Sequence, residues 1–346
     1  MRIIVCSSRV PFIRGGNEIV VGWLVDELVA RGHEVDEISL PLIWQSELDV
    51  EKSYLMWRML NVRDALEIPA DMVICTKFPS FVLQHPRKVI WLFHQFRQVY
   101  DWAGTDLGYQ CDSVIQLDVR EKIVAIDNQA FQEAQRLFSI SYNVAGRLKK
   151  YNGFDSEVLY PFPPVQEEFR CEAYEDYFLH VGRLERNKRV DLLIEAMKES
   201  SVKMPLIIVG EGTEKNALQQ KVAEYQLEDW VKFLGWVDRK TLLELYSKAF
   251  AILFAAYDED FGLVVPEAFF CRKAVIATSD SGGAIEIMNN NVHGMVCEPN
   301  SSSIAACIEK AVLSKNNVIE MGKNGYEMIH SWSWNNIIDK LVCKNI

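Results

Sequence analysis

Short apolar runs alternate with longer amphipathic stretches along the whole chain. Apolar runs of about 4–8 residues suit strands covered on both faces, and apolar positions three and four apart suit helices. Residues 3–6 predict a strand. Residues 17–31 predict a helix, with Ile19, Val20, Trp23, Leu24 and Leu28 near helical spacing and Gly32 as its stop. Strands are expected again at 33–40, 72–75, 89–93, 137–140 and 158–160.

The pattern then breaks. Pro161-Phe162-Pro163-Pro164 and the acidic, weakly patterned stretch 166–176 read as a linker. Beyond it the alternation restarts. Strands are expected at 177–181, 206–209, 231–234, 251–255, 275–277 and 295–297. Helices are expected at about 189–200, 213–226, 239–248, 263–271 and 302–314, with a last helix at 334–343. The fold class is therefore α/β, as two Rossmann-like domains whose open parallel sheets face a central cleft. Their bounds are 1–165 and 166–330. Residues 331–346 form a terminal segment whose helix can pack back on the first domain. Ligands of such sheets bind at the carboxyl ends of the strands.

Composition narrows the partners. The formal net charge is -11, from 37 basic and 48 acidic residues. That field disfavours nucleic acid while allowing a local basic pocket for phosphate. Eight cysteines are scattered without metal or redox spacing, as expected of buried free thiols in a reducing cytosol. No secretory signal opens the chain. The longest apolar run, 249–257, is far short of the roughly 20 residues that span a bilayer. A cytoplasmic protein is expected, with peripheral contact at the inner membrane face compatible with the pattern. The apolar stretch 54–60 reads as a core-facing helix, with an acceptor or membrane contact as the alternative. Arg147, Lys149 and Lys150 read as a basic helix C-terminus.

Four places carry chemistry. At 259–267, Glu259-Asp260-Phe261-Gly262-Leu263-Val264-Val265-Pro266-Glu267 follows a strand and opens a helix. Proline suits a first helical turn, and amides near Gly262, Leu263 and Val264 can hold a phosphate. Glu259 and Glu267 bracket this cradle with hydroxyl-accepting carboxylates. Acidic residues at helix starts are also common for dipole reasons alone. At 180–189, Arg183 and Lys188 leave a strand end in a basic loop, where a departing diphosphate would need positive charge. A solvated loop is the plain alternative. Gly15-Gly16 precedes a helix after the first strand and reads as a flexible turn or an anion site. His94 closes an apolar strand, either as a hydrogen-bonded structural residue or as a group reaching the substrate.

Together, GRLERNKRVDLLIEA, EDFGLVVPEAFF and SGGAIEIMNNNVHGMVCEP, in that order, resemble glycosyltransferase family 4. The likeness is strong over 177–300 and weaker over the first half. It implies the GT-B fold and a retaining transfer of a hexose-type sugar from a UDP- or GDP-sugar to a glycan, lipid-linked or small-molecule hydroxyl. By the resemblance, Arg183 and Lys188 hold the diphosphate, Glu267 the ribose hydroxyls and Glu259 the donor sugar. Backbone at Phe261, Gly262, Leu263 and Val264 holds phosphates and sugar. The base lies near Gly210, Trp236 and Val237. The loop at Gly15 and Gly16 closes over donor or acceptor, and His94 approaches the donor sugar, with Arg97, Tyr100 and Asp101 towards the acceptor.

Two features depart from the family: Arg189 stands where glycine is usual, and Phe269-Phe270 are bulkier than common. With the histidines dispersed and no Asp-x-Asp triplet expected, no metal and no other cofactor is expected. A sugar-nucleotide epimerase, a phosphorylase and a non-catalytic homologue share the fold and remain rivals. An NAD enzyme is disfavoured by the absence of Gly-x-Gly-x-x-Gly after the first strand.

Overall fold

The protein is described by a computed structural model over residues 1–12, 15–63, 68–110, 112–164 and 166–342. Its contacts divide into two compact units, Met1–Pro164 with Ser333–Ile346, and Val165–Trp332.

The first unit is built on β1 (Arg2–Arg9), β2 (Glu34–Pro41), β3 (Met72–Cys75), β4 (Lys88–Leu92), β5 (Arg136–Ser139) and β6 (Glu157–Val158). They form one parallel sheet in the order β2-β1-β3-β4-β5-β6. Every residue of β3 and β4 is buried, which is why these strands read as unbroken apolar runs. Its helices begin with α1 (Gly16–Ala30), α2 (Glu47–Met59), α3 (Val114–Gln132) and α4 (Tyr142–Asn152).

The pattern did not single out α3. Its buried stripe runs through Val119, Ile123, Ala130 and Phe131, but Asp127 stands in the middle of it. That carboxylate is tolerated because the hydroxyls of Tyr54 and Tyr100 donate to it at 2.8 and 2.7 Å. Helix α2 turns Tyr54 and Trp57 inward and leaves Leu55, Met56 and Met59 outside, so 54–60 is only half core-facing. Lys149 and Lys150 close the last turn of α4, as dipole logic expects, but Arg147 is buried 3.7 Å from Asp101 instead.

The second unit repeats the design with β7 (Phe178–Val181), β8 (Leu206–Val209), β9 (Val231–Gly235), β10 (Ala251–Phe254), β11 (Ala274–Thr278) and β12 (Gly294–Cys297). The parallel order is β12-β11-β10-β7-β8-β9. Around it pack α5 (Val190–Glu199), α6 (Lys215–Glu224), α7 (Arg239–Lys248), α8 (Val264–Phe270), α9 (Ser301–Leu313) and α10 (Lys315–Ile329). One apolar core joins Leu193, Ile194 and Met197 of α5 to Ile208, Leu253, Ile276 and Ile308. Helix α10 lay outside the expected elements, because its two glycines and two adjacent asparagines lower intrinsic helix propensity. Packing explains the glycines. A Cβ on Gly322 would lie 2.1 Å from the Arg272 carbonyl, and one on Gly325 would lie 2.4 Å from the Phe269 ring.

The last helix, α11 (Trp334–Val342), belongs to the first unit. The Trp334 indole donates to the Phe162 carbonyl at 3.1 Å and meets Trp91 edge-on. Arg136 donates to the Lys340 and Leu341 carbonyls. Of the described cysteines, Cys6, Cys75, Cys271 and Cys297 are buried free thiols as expected, whereas Cys171 and Cys307 are half-buried. Cys111 and Cys343 lie outside the described residues. No helix is long and apolar enough to cross a membrane among the described residues.

Candidate functional site

In the second sheet β7, β10 and β11 are neighbours, so the loops leaving their carboxyl ends lie side by side. These three loops are the three sequence motifs. After β7 come Gly182, the exposed Arg183, and a 3-10 turn Arg186–Lys188 that leads through Arg189 into α5. After β10 the chain runs from Ala255 to Gly262 and into α8. After β11 it makes the Gly282–Gly283 turn.

Backbone hydrogen bonds lace the loops together. The Tyr257 amide donates to the Asn187 carbonyl at 2.8 Å. Asp258 donates to Asp280 at 2.8 Å, and Gly283 to Glu259 at 2.8 Å. Lys188 and Glu259 consequently meet in an ion pair, each with a largely covered side chain. The two predicted groups from separate motifs are thus in direct contact. Among the described residues no ion-pair or hydrogen-bond partner meets the Arg183 guanidinium.

Gly262 has φ of 78°, and a Cβ there would press to 2.8 Å on that of Ala284. Only glycine lets the loop before α8 lie so close on the turn after β11. Leu263 caps α8, and Val265 turns its amide back on the Gly262 carbonyl at 3.0 Å. The helix has seven residues, shorter than the expected 263–271, so its dipole is correspondingly small. Phe261, Phe269 and Phe270 are all buried, and Leu263 and Val264 are half-buried.

Glu267 sits on α8 and accepts from the Tyr246 hydroxyl of α7 at 2.9 Å. Burial pushes its carboxyl up to about 7, against the opposing pull of that hydrogen bond and of the Arg239 charge. His180, on β7 beneath the Lys188 loop, is buried and held neutral. Burial lowers it to about 4, and nearby Lys188 works in the same direction. Its Nδ1 donates to the Leu253 carbonyl at 3.1 Å.

On the other side of β7, Gly210 follows β8 and Trp236-Val237 follow β9. Gly210 serves packing: with φ of 135°, a Cβ there would overlap the Gly182 carbonyl at 1.8 Å. Trp236 is 77% exposed, which leaves its ring free to stack.

One expectation fails on the sequence itself, that of no Asp-x-Asp triplet in the chain. Asp258-Glu259-Asp260 is an Asp-x-Asp triplet. Asp258 is held in the left-handed region at φ of 43°, and its amide is tied to Asp280. Among the described residues no three His, Cys, Asp or Glu side chains are grouped to hold a metal ion.

In the first unit, Gly15 caps α1. Its amide, for which the sequence left a flexible turn or an anion site open, donates to the chain's own Glu18 at 2.9 Å. Glu18 also pairs with the buried Lys77 at 2.6 Å, a contact that no sequence pattern signalled. Gly16 is the first residue of α1. His94 is half-buried two residues beyond β4, with Nδ1 2.8 Å from the Gln95 carbonyl. Arg97 pairs with Asp101 in the same loop at 2.5 Å and stacks on Trp102.

Two six-stranded parallel sheets with clustered strand-end loops define a GT-B protein. Residues 166–328 match the model for glycosyl transferases group 1. A curated relative is N-acetyl-alpha-D-glucosaminyl L-malate synthase of Bacillus anthracis, 22% identical over 82% of this chain and 81% of that protein. For four other curated glycosyltransferases the chain spans 34–46% of their length. Among solved structures, sucrose-phosphate synthase from Thermosynechococcus elongatus superposes with a TM-score of 0.77 at 19% identity, covering 97% of this chain and 96% of the other. HepE of Anabaena, in complex with UDP-glucose, superposes at 0.74 and 16% identity, with 98% of both chains covered.

Proposed function

We propose that the protein is a retaining glycosyltransferase of the family 4 kind. It moves a hexose-type sugar from a UDP- or GDP-sugar to the hydroxyl of a glycan, a lipid-linked or a small-molecule acceptor, without a metal ion. The observation that carries this reading is the Lys188–Glu259 pair on adjacent strand-end loops, with Arg183 in the same loop as Lys188 and Glu267 on the helix that follows Glu259. The family match and the sugar nucleotide in HepE support the donor class.

In this reading Arg183 and Lys188 take the donor diphosphate. Arginine offers a planar fork of donors and lysine a compact charge, both preorganised where negative charge develops. Donor entry draws Lys188 from Glu259, whose carboxylate then faces the sugar hydroxyls. Glu267 accepts from the ribose diol, and Trp236 and Val237 flank the base. The amides of Phe261, Gly262, Leu263 and Val264 face phosphate and sugar. The bond from the anomeric carbon to the diphosphate oxygen breaks. The acceptor oxygen bonds to that carbon on the same face, and its proton passes to the departing phosphate oxygen. No protein base is required. Gly15, Gly16 and His94 of the first unit keep the roles the resemblance gives them, with His94→Ala as their probe: unchanged kinetics would make His94 structural.

The test is turnover of UDP- and GDP-hexoses with a panel of hydroxyl acceptors in EDTA, with the anomeric configuration read by NMR. An α-donor giving an α-product without metal is expected. An inverted product, a requirement for Mg²⁺ or Mn²⁺, or an epimerised donor formed without acceptor would overturn the respective part.

A further inference from the structure

Arg189 holds a conformation that its residue type disfavours. Its φ of 49° and ψ of 43° lie in the left-handed region, at the junction between the 3-10 turn Arg186–Lys188 and α5. For a residue with a long side chain this conformation is strained and persists only where the surroundings over-determine it. Here they do. The Arg189 side chain reaches across the sheet edge. Nε donates to the Ala255 carbonyl at 2.7 Å, just past β10. One terminal nitrogen donates to the Thr278 hydroxyl at the end of β11, at 3.0 Å. The fork closes on both oxygens of Asp280 at 2.6 and 2.8 Å. Burial works to raise the Asp280 carboxyl, and Arg189 outweighs it, holding the group below its ordinary value.

One side chain therefore ties together the ends of β7, β10 and β11. Each tied loop carries part of the site. Lys188 is the residue directly before Arg189. Glu259 lies four residues beyond Ala255, and Asp280 leads into Gly282–Gly283, which bonds back to Glu259. Glu267 and Tyr246 are outside this strap.

We infer that Arg189 is a positioning residue, a strap that keeps Lys188 and Glu259 in register at the diphosphate and sugar end of the donor site, while leaving the ribose end to Glu267. This rests on the proposed function above. The strap joins its own loop to the two that follow β10 and β11, so its loss is felt where those loops meet and not across the whole donor.

The experiment compares wild type, Arg189→Gly, Asp280→Asn and the double variant in the full chain. Glycine suits the left-handed backbone, so Arg189→Gly removes the strap without adding backbone strain. Affinities for UMP, UDP, GMP and GDP are measured by calorimetry, with kcat and KM for the sugar nucleotide. Expected is monophosphate affinity within twofold of wild type, diphosphate affinity down at least fivefold, and kcat down at least tenfold in each single variant. The double variant should be no worse than the weaker single one, because both substitutions break one unit. Wild-type diphosphate affinity and turnover in the single variants would overturn the inference. So would equal losses for mono- and diphosphates, or losses that multiply in the double variant. If Arg189→Gly does not fold, Asp280→Asn decides by the same comparison. A wild-type chain that binds neither diphosphate overturns the proposed function itself, a distinct outcome.

Discussion

The hydroxyl of Tyr246 donates to the carboxylate of Glu267 at 2.9 Å, from a side chain with no exposed surface. The bond fixes where Glu267 points, and burial of the pair lifts the carboxyl to about 7. The group proposed to hold the ribose therefore titrates near neutrality.

That gives two opposite pH effects. The ordinary value for this carboxyl is 4.5, and the folded value is raised. Its contribution to stability is thus fully present below 4.5 and is lost as pH rises towards 7. Ribose binding needs the ionised acceptor, so donor affinity should rise over the same interval. Melting temperature and nucleotide affinity of wild type, each compared with Glu267→Gln, should move in opposite directions between pH 5 and 8. Parallel movement would remove Glu267 from the ribose site.

Tyr246→Phe keeps the ring and deletes the donor. Leaving a buried carboxylate short of one hydrogen bond should cost about 1–3 kcal/mol of stability at pH 8. It should also raise the Glu267 carboxyl further, so nucleotide affinity falls most near pH 7 and recovers at pH 8.5. A loss independent of pH would show that the hydroxyl supports only the fold.

Lys188→Ala should lower turnover by about 10²–10³-fold, the scale of removing one preorganised donor to a leaving group. Single-turnover kinetics would read it. Turnover within threefold of wild type would place the leaving-group charge elsewhere.

Trp334→Ala removes a buried indole, its hydrogen bond to Phe162 and its edge contact with Trp91. A loss of about 3–5 kcal/mol in unfolding free energy is expected, with nucleotide affinity unchanged. Thermal and urea unfolding, followed beside a nucleotide titration, separate the two effects.

Most of the fold was legible because parallel strands buried on both faces leave unbroken apolar runs, as in Met72–Cys75 and Ala251–Phe254. Legibility failed where one residue was chosen for a distant contact. Asp127 interrupts the apolar stripe of α3 because two tyrosines reach it, and Gly322 and Gly325 weaken the signal of α10 because Arg272 and Phe269 press on it. At the site, Lys188, Glu259 and Glu267 could be named from local motifs. Their partners could not. Tyr246 reads as one more core aromatic on α7, and Asp280 as one more loop acid, until the fold sets them against Glu267 and Arg189. Asp258-Glu259-Asp260 was visible in the sequence and needed only to be weighed.

The central claim is that Arg183, Lys188, Glu259 and Glu267 form a metal-independent site for a nucleoside diphosphate sugar. It is tested most directly by titrating UDP, GDP and their hexose conjugates into the full chain with EDTA, and again with Mg²⁺. Saturable binding of one base series in EDTA, tighter for the sugar conjugate and weakened by Glu267→Ala, is the predicted result. Binding that appears only with Mg²⁺, or that ignores Glu267→Ala, would contradict it.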